Sequence, residues 1–111
     1  MLRVGLVGCG FMGRQHALAY RVVANRLQTE HPGAVPKLVA VCDADPGRAD
    51  AVAAEVGAIP YTDLGAMLTN EKLDMVDVVT PDFAHREPTL TALSAGCHVF
   101  VEKPIAQTTA D

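Results

Sequence analysis

Three glycines near the start of the chain have the spacing of a phosphate-binding turn. Gly8, Gly10 and Gly13 form the pattern G-x-G-x-x-G between a short apolar run and a segment with helical periodicity. In such a turn the first glycine permits a tight reversal, the second leaves room for a diphosphate, and the third lets the helix pack close to the strand. Backbone N–H groups and the positive end of the helix dipole attract the anion. The pattern predicts a dinucleotide site; the alternative is a tight turn that binds nothing.

A carboxylate follows the second apolar run and indicates which dinucleotide would bind. Asp43 comes directly after Cys42, where it could accept hydrogen bonds from ribose hydroxyls and would repel a 2′-phosphate, which favours NAD over NADP. It lies 30 residues after Gly13, whereas about 20 is usual, so the first helix and its loop are longer than standard. Two alternatives remain: Asp43 is an exposed turn residue, or Asp45 is the ligand, although Asp45 suits the cap of the next helix better.

Apolar runs alternate with helical patterns along the whole chain. The predicted strands are 2–7, 37–42, 59–61, 75–79 and 98–101, and the predicted helices are 11–29, 46–56, about 63–68 and 86–95. Strands that alternate with helices of this length predict right-handed crossovers and a parallel sheet with helices on both faces. The fold class is therefore α/β, a Rossmann-type doubly wound sheet with strand order 3-2-1-4-5 that stops after strand 5.

Helix boundaries and buried faces are predicted from capping residues and periodicity. Asp45-Pro46 begins the second helix and Gly57 ends it, Thr62 or Asp63 caps the third, and Gly96 follows the fourth. The residues expected on helix stripes facing the core are Leu18, Val22, Val23 and Leu27 in the first helix, Ala49, Val52, Ala53 and Val56 in the second, and Leu90 and Leu93 in the fourth.

Size and composition restrict the class of protein. The 111 residues suit one domain, and 9 basic against 13 acidic residues give a net charge of −4 without a basic run, which argues against a nucleic-acid partner. No apolar stretch reaches the roughly 20 residues needed to cross a bilayer, and a strand at the very start leaves no room for a secretion signal. The 3 cysteines are scattered, which indicates small, reduced core residues of a cytoplasmic protein.

The combined motifs resemble a known enzyme family. The chain is similar over essentially its whole length to the nucleotide-binding half of the Gfo/Idh/MocA oxidoreductases, the glucose–fructose oxidoreductase and inositol dehydrogenase group. The resemblance rests on the glycine turn with His16, on Asp43, on Thr80-Pro81 followed by His85, on Ala95-Gly96-Cys97-His98-Val99, and on Glu102-Lys103-Pro104.

The resemblance implies a set of site residues. Phe11 and Met12 would place their backbone beside the pyrophosphate, and Thr80 and Pro81 would line the cofactor cleft. His16 and His85 are assigned structural roles.

Glu102, Lys103 and Pro104 would complete the site. Lys103 would stand near the nicotinamide and the substrate hydroxyl as the catalytic residue, and Glu102 would fix the end of strand 5 at the cleft. A cis peptide before Pro104 would aim the lysine inward. The alternative for Lys103 is an ordinary solvated lysine.

The resemblance also implies a function. Residues 1–111 are expected to be an incomplete NAD-binding domain of a dehydrogenase that acts on a sugar or polyol, because the family's substrate domain and its further acid/base residues are absent from this sequence. The chain alone is expected to be inactive. The alternatives are a non-catalytic NAD(H)-binding module or sensor, and an inactive fragment. An unprotected last strand would also allow a homo-oligomer to form.

Overall fold

Five parallel strands form the centre of the molecule in a computed structural model that describes residues 2–30, 35–79 and 86–101. The strands are β1 (Leu2–Val7), β2 (Pro36–Cys42), β3 (Ile59–Tyr61), β4 (Met75–Val78) and β5 (His98–Val101). The helices of the described ranges are α1 (Phe11–Glu30), α2 (Pro46–Val56), α3 (Leu64–Asn70) and α4 (Arg86–Ser94). None of these helices is long and apolar enough to cross a membrane.

The strands lie in the order β3-β2-β1-β4-β5, and every neighbouring pair is parallel. The predicted order is confirmed, and β1 lies in the middle of the sheet. The β1–β2 register shifts between Val4, which pairs with Leu38, and Gly5, which pairs with Ala40. This irregularity leaves Val39 as an extra residue, and Val39 and Ala40 both join the same core cluster. Because β1 pairs in parallel with both β2 and β4, the carboxyl ends of these three strands lie at the same edge of the sheet.

Two apolar cores cover the two faces of the sheet. The α1-side core contains side chains from β1, β2, α1 and α2, with these buried members: Val4, Leu6, Cys9, Ala17, Leu38, Val41, Val52, Ala53 and Val79. The α3-side core contains side chains of α3 and α4, with these buried members: Val7, Val39, Ala40, Cys42, Met67, Val76, Val78, Ala92 and Cys97. The helices therefore lie in pairs on opposite faces, as the doubly wound prediction requires.

The predicted caps are confirmed. Asp45 accepts a hydrogen bond from the Gly47 N–H at 2.9 Å and Pro46 opens α2, while Asp63 caps α3 by accepting from the Ala66 N–H. Gly57, with a φ of 75°, ends α2.

The prediction for α4 is wrong in its buried face. Leu90 and Leu93 are 50% and 53% exposed, whereas Ala92 is fully buried against the sheet. Ala92 packs in the α3-side core with strand residues, so the face of α4 that carries Ala92 is turned to the sheet and the two leucines lie outside that face. In α1 the helix itself is confirmed, but Val22 and Val23 are 68% and 42% exposed. Within the described chain, α1 faces the sheet through smaller or polar side chains.

Candidate dinucleotide-binding site

The glycine loop, residues 8–13, leaves the carboxyl end of the central strand β1. Gly8 has a φ of 102°, a conformation that side chains rarely adopt, and its N–H donates to the Cys42 carbonyl at 2.8 Å. The loop is thereby held to the end of β2 as it turns into α1. The first glycine of the pattern makes the turn that its position predicts.

Gly13 lets α1 approach the loop closely. A Cβ atom on this buried residue would lie 1.8 Å from the carbonyl oxygen of Gly8. Backbone atoms cannot move aside as a flexible side chain can, so the position accepts only glycine in this arrangement. The third glycine therefore sets the distance between the helix and the strand.

Gly10 differs because open space surrounds it. A Cβ atom there would meet no heavy atom within 4 Å, and the next two residues, Phe11 and Met12, are 77% and 47% exposed. The N–H groups in the first turn of a helix lack intrahelical acceptors, and the helix dipole adds positive charge at the same place. Gly10 thus borders an open cradle that suits a diphosphate group, which is the fit that the sequence pattern predicts.

Asp43 lies at the end of β2 and is bonded to the glycine loop. Its Oδ2 accepts from the Cys9 N–H at 2.8 Å, and its Oδ1 accepts from the Asp45 N–H at 2.8 Å. The alternative of a freely exposed turn residue is therefore wrong, since Asp43 is half-buried and holds the loop against β2. The bond to Cys9 is a role that the sequence does not reveal, because nothing in the pattern shows how near the two turns come.

Asp43→Ala is expected to lower the free energy of unfolding by about 1–3 kcal/mol, because the Cys9 N–H, in a residue that is 5% exposed, would lose its acceptor. Urea unfolding followed by circular dichroism measures this loss. Asp43→Asn should lose less, since its side-chain oxygen can still accept one of the two bonds. An Asp43→Ala chain as stable as the wild type would show that the bond does not hold the loop.

Two buried thiols lie at this edge of the sheet. Burial, with a smaller contribution from the Asp43 carboxylate, raises the pKa of the Cys9 thiol to about 12 and that of Cys42 to about 11. Both cysteines are free, and the Cys9 Sγ lies 3.7 Å from the Cys42 carbonyl oxygen. The thiols act as small apolar residues beneath the loop and resist ionisation.

These pKa values predict a loss of stability at alkaline pH. Thiols in the unfolded chain ionise near pH 9 and the folded thiols only well above it, so the stabilising effect is complete below about pH 9 and is lost as pH rises towards 12. The urea midpoint should fall between about pH 8 and about pH 10.5, and less so in a Cys9→Ala/Cys42→Ala chain. If the urea midpoint fell equally with pH in the two chains, the loss of stability could not be assigned to the two thiols.

Arg14 lies next to the loop but is paired with α2. Its guanidinium contacts the Glu55 carboxylate, with Nη2–Oε1 at 2.8 Å and Nε–Oε1 at 2.9 Å. Arg21 adds a bond from Nη1 to the Glu55 carbonyl at 3.1 Å. Arg14 therefore links α1 to α2 through an exposed ion pair that balances its charge.

A buried polar cluster connects α1 to β4. Asp77 is 1% exposed, and its Oδ2 lies 2.7 Å from His16 Nδ1 and 3.1 Å from the Tyr20 hydroxyl, which donates to it. The structural role expected for His16 is therefore confirmed. Asp77 itself was not singled out from the sequence, although an acidic residue inside an otherwise apolar strand is a signal that something must be paired with it.

Comparison with known protein families agrees with the fold and with the glycine loop. The Gfo/Idh/MocA model, an oxidoreductase family with an NAD-binding Rossmann fold, matches residues 2–111. The chain belongs to this family. The predicted resemblance is thereby confirmed, and the open cradle at Gly10 lies where an NAD-binding Rossmann fold holds a diphosphate.

Relatives of the Gfo/Idh/MocA chain include sugar and polyol dehydrogenases. The D-glucoside 3-dehydrogenase of Escherichia coli K12 is 41% identical over 108 residues, which is 96% of this chain and 28% of that protein. Inositol 2-dehydrogenase 1 of Saccharopolyspora erythraea is 38% identical over 112 residues, 99% of this chain and 31% of that protein. The chain is also similar to the solved structure of the WlbA dehydrogenase from Bordetella pertussis in complex with NADH and UDP-GlcNAcA. The TM-score of this match is 0.81 and the sequence identity is 34%, and the match covers 96% of this chain and 30% of that chain. The chain spans less than a third of the length of these relatives.

The remaining family positions are not described. Thr80, Pro81, Glu102 and Lys103, together with His85 and the peptide before Pro104, lie outside the described residues. In the parts of the chain that are described, no group of three His, Cys, Asp or Glu side chains is arranged to hold a metal ion.

Proposed function

We propose that residues 1–111 work as the cofactor-binding domain of an NAD-dependent oxidoreductase. The observation that carries this proposal is the open cradle at Gly10, bordered by the N-terminus of α1 and held in place by a buried Gly13. Membership of an NAD-binding oxidoreductase family supports it. Phe11 and Met12 would lie beside the diphosphate through their backbone, and the exposed Phe11 ring offers apolar surface that a bound cofactor would cover.

NAD is proposed over NADP because of Asp43. Each carboxylate oxygen can accept more than one hydrogen bond, so the bonds to Cys9 and Asp45 leave capacity for ribose hydroxyls. A 2′-phosphate placed beside this carboxylate would face like charge, which costs several kcal/mol. The same side chain would therefore fix the loop and select the cofactor.

Four residues outside the described ranges complete the proposed site. Thr80 and Pro81 follow β4 and would line the cofactor cleft, while Glu102 and Lys103 follow β5. Since β4 and β5 are neighbours in the sheet, the two segments start from adjacent strand ends. Lys103 would orient the substrate oxygen and assist its proton transfer, and Glu102 would help to shape the cleft.

The proposed reaction is reversible oxidation of a sugar or polyol hydroxyl, in which the alcohol and NAD⁺ give the ketone, NADH and a proton. The named sugar and inositol dehydrogenases among the relatives support this substrate class. The cofactor supplies the hydride chemistry, and the protein supplies binding and orientation. The sugar and inositol dehydrogenases are more than three times as long as the segment that they share with this chain, so we expect their substrate wall to come from outside that segment and expect no turnover of polyols by the 111 residues alone. The buried free thiols fit a reducing, cytoplasmic location.

Fluorescence titration with NADH and NADPH tests the proposed cofactor. NADH is expected to bind at least about tenfold more tightly than NADPH, because the Asp43 carboxylate repels the additional phosphate. Asp43→Asn should narrow this ratio. Asp45→Asn is the matched control, since it removes a nearby charge that caps α2, and it should leave the ratio unchanged. A folded wild-type chain that binds neither dinucleotide would contradict the proposal.

The second candidate function is a non-catalytic NAD(H)-binding module or sensor. A longer gene product that oxidises a polyol, and loses turnover but not NADH binding on Lys103→Ala, would favour the enzyme. Unchanged turnover in that variant would remove the catalytic role of Lys103.

A further inference from the structure

The buried carboxylate of Asp77 is the feature that the cofactor site does not use. It lies on the α1 side of β4, opposite Leu6 in the β1–β4 register, and it is 1% exposed. Two residues away on the same face, Val79 belongs to the apolar α1-side core and Met75 packs against it. A carboxylate in such surroundings is costly unless it is paired.

The pairing comes from one helix. Oδ2 of Asp77 contacts His16 Nδ1 at 2.7 Å and the Tyr20 hydroxyl at 3.1 Å, and both residues belong to α1. Within the described ranges, Oδ1 is buried and has no hydrogen-bond partner. The carboxylate therefore depends strongly on its two contacts with α1, and moving the helix would leave the charge without them.

The two contacts restrict how α1 can lie on the sheet. His16 and Tyr20 are four residues apart, so they stand one above the other on the same helix face. A rotation of about 100° or a slide of about 1.5 Å, the step of one residue, would pull both groups away from the single oxygen that they share. His16 lies only five residues from Phe11, about 7.5 Å along the helix axis. The cluster thus lies less than two helical turns from the N-terminus of α1.

The contacts of Arg14 and Arg21 do not fix α1 relative to the sheet. Arg14 and Arg21 join α1 to Glu55 of α2, which is another helix on the same face and not the sheet. In the described part of the chain, His16 and Tyr20 of α1 both hydrogen-bond to β4, and both bonds go to Asp77.

We propose that Asp77 is a positioning residue for the cofactor, which acts through His16 and Tyr20 to hold the N-terminus of α1 in the place that receives the diphosphate. This inference rests on the proposed function, because it assigns the cluster to the same site. Loss of a residue that merely stabilises the core would leave NADH binding unchanged in a chain that remains folded. Loss of Asp77, in contrast, should weaken NADH binding even in chains that remain folded.

Four variants of the full chain test the proposal by NADH fluorescence titration, each well below its own unfolding midpoint. Asp77→Asn keeps the shape and removes the charge, and His16→Ala removes one donor. His16→Asn is the conservative variant, since the asparagine amide can occupy the position of Nδ1. Val76→Ala is the matched control: it truncates a fully buried residue of the same strand on the opposite face, in the α3-side core.

Asp77→Asn and His16→Ala are expected to raise the dissociation constant of NADH about tenfold, because the helix end loses its fixed position. His16→Asn should restore affinity to within about threefold of the wild type, and Val76→Ala should leave it within about twofold despite a lower melting temperature. If Asp77→Asn does not fold, the two His16 variants decide the question alone.

Unchanged NADH affinity in His16→Ala, or an equal loss in Val76→Ala, would overturn the positioning role. A failure of the proposed function looks different, since the wild-type chain itself would then not bind NADH.

Discussion

Gly13→Ala is expected to destabilise the chain by about 3 kcal/mol or more and to abolish NADH binding, the largest single-residue effect that the structure predicts. The added Cβ would lie 1.8 Å from the Gly8 carbonyl oxygen and 2.7 Å from its carbonyl carbon. Since both atoms belong to the backbone of the loop, the clash is relieved only if α1 moves away from the strand. Movement of α1 also disturbs the buried contacts that the helix makes with β4.

The melting temperature of the Gly13→Ala chain, followed by circular dichroism, measures this effect. Gly65→Ala is the matched control, because Gly65 also lies in the first turn of a helix and its Cβ would meet the Asp63 carboxylate only at 3.7 Å, an ordinary contact. That variant should be neutral or slightly stabilising, since alanine favours a helix over glycine by about 0.5–1 kcal/mol. Similar melting temperatures for the two variants would show that α1 does not pack on the loop as described.

Gly10→Ala is expected to fold as stably as the wild type and to lose about 100-fold in NADH affinity, which corresponds to about 2.8 kcal/mol. The new methyl group would meet no protein atom within 4 Å, so the fold has no reason to change. The same space is where the diphosphate would approach the backbone, and a side chain there would keep it at a distance. Stability and binding should therefore separate at this position.

Parallel melting curves and NADH titrations of the Gly10→Ala and wild-type chains measure the two effects. Wild-type affinity in this variant would mean that the cofactor does not approach Gly10. A lower melting temperature would instead mean that the space around Gly10 is not open. Together with Gly13→Ala, the variant distinguishes the glycine that the fold needs from the glycine that the ligand needs.

Features that depend on local sequence could be predicted from the chain. The turn at Gly8, the cap at Asp45 and the left-handed residue Gly57 follow from short patterns whose physical causes lie within a few residues. The strand order β3-β2-β1-β4-β5 follows instead from the alternation of strands and helices along the whole chain and from the handedness of their crossovers. Periodicity also predicted the buried stripe of α2, where Ala49, Val52 and Ala53 are buried.

Features that depend on how two elements meet could not be predicted in the same way. The pairing of Asp77 with His16 joins residues 61 positions apart, and the bond from Asp43 to Cys9 spans 34 positions. The exposure of Leu90 likewise depends on which face of α4 packs on the sheet, and that is the face of the fully buried Ala92. In each case the residue type was visible in the sequence, but its partner was set by packing.

The most direct test of the central claim is to follow the backbone amide resonances of Gly8, Cys9 and Gly10 in ¹⁵N-labelled chain during titration with NADH. Because the diphosphate is expected to lie against this loop and the N-terminus of α1, these resonances should shift strongly and saturate with the dissociation constant found by fluorescence. Saturable NADH binding that leaves all three resonances in place would contradict the account, since the cofactor would then lie elsewhere on the molecule.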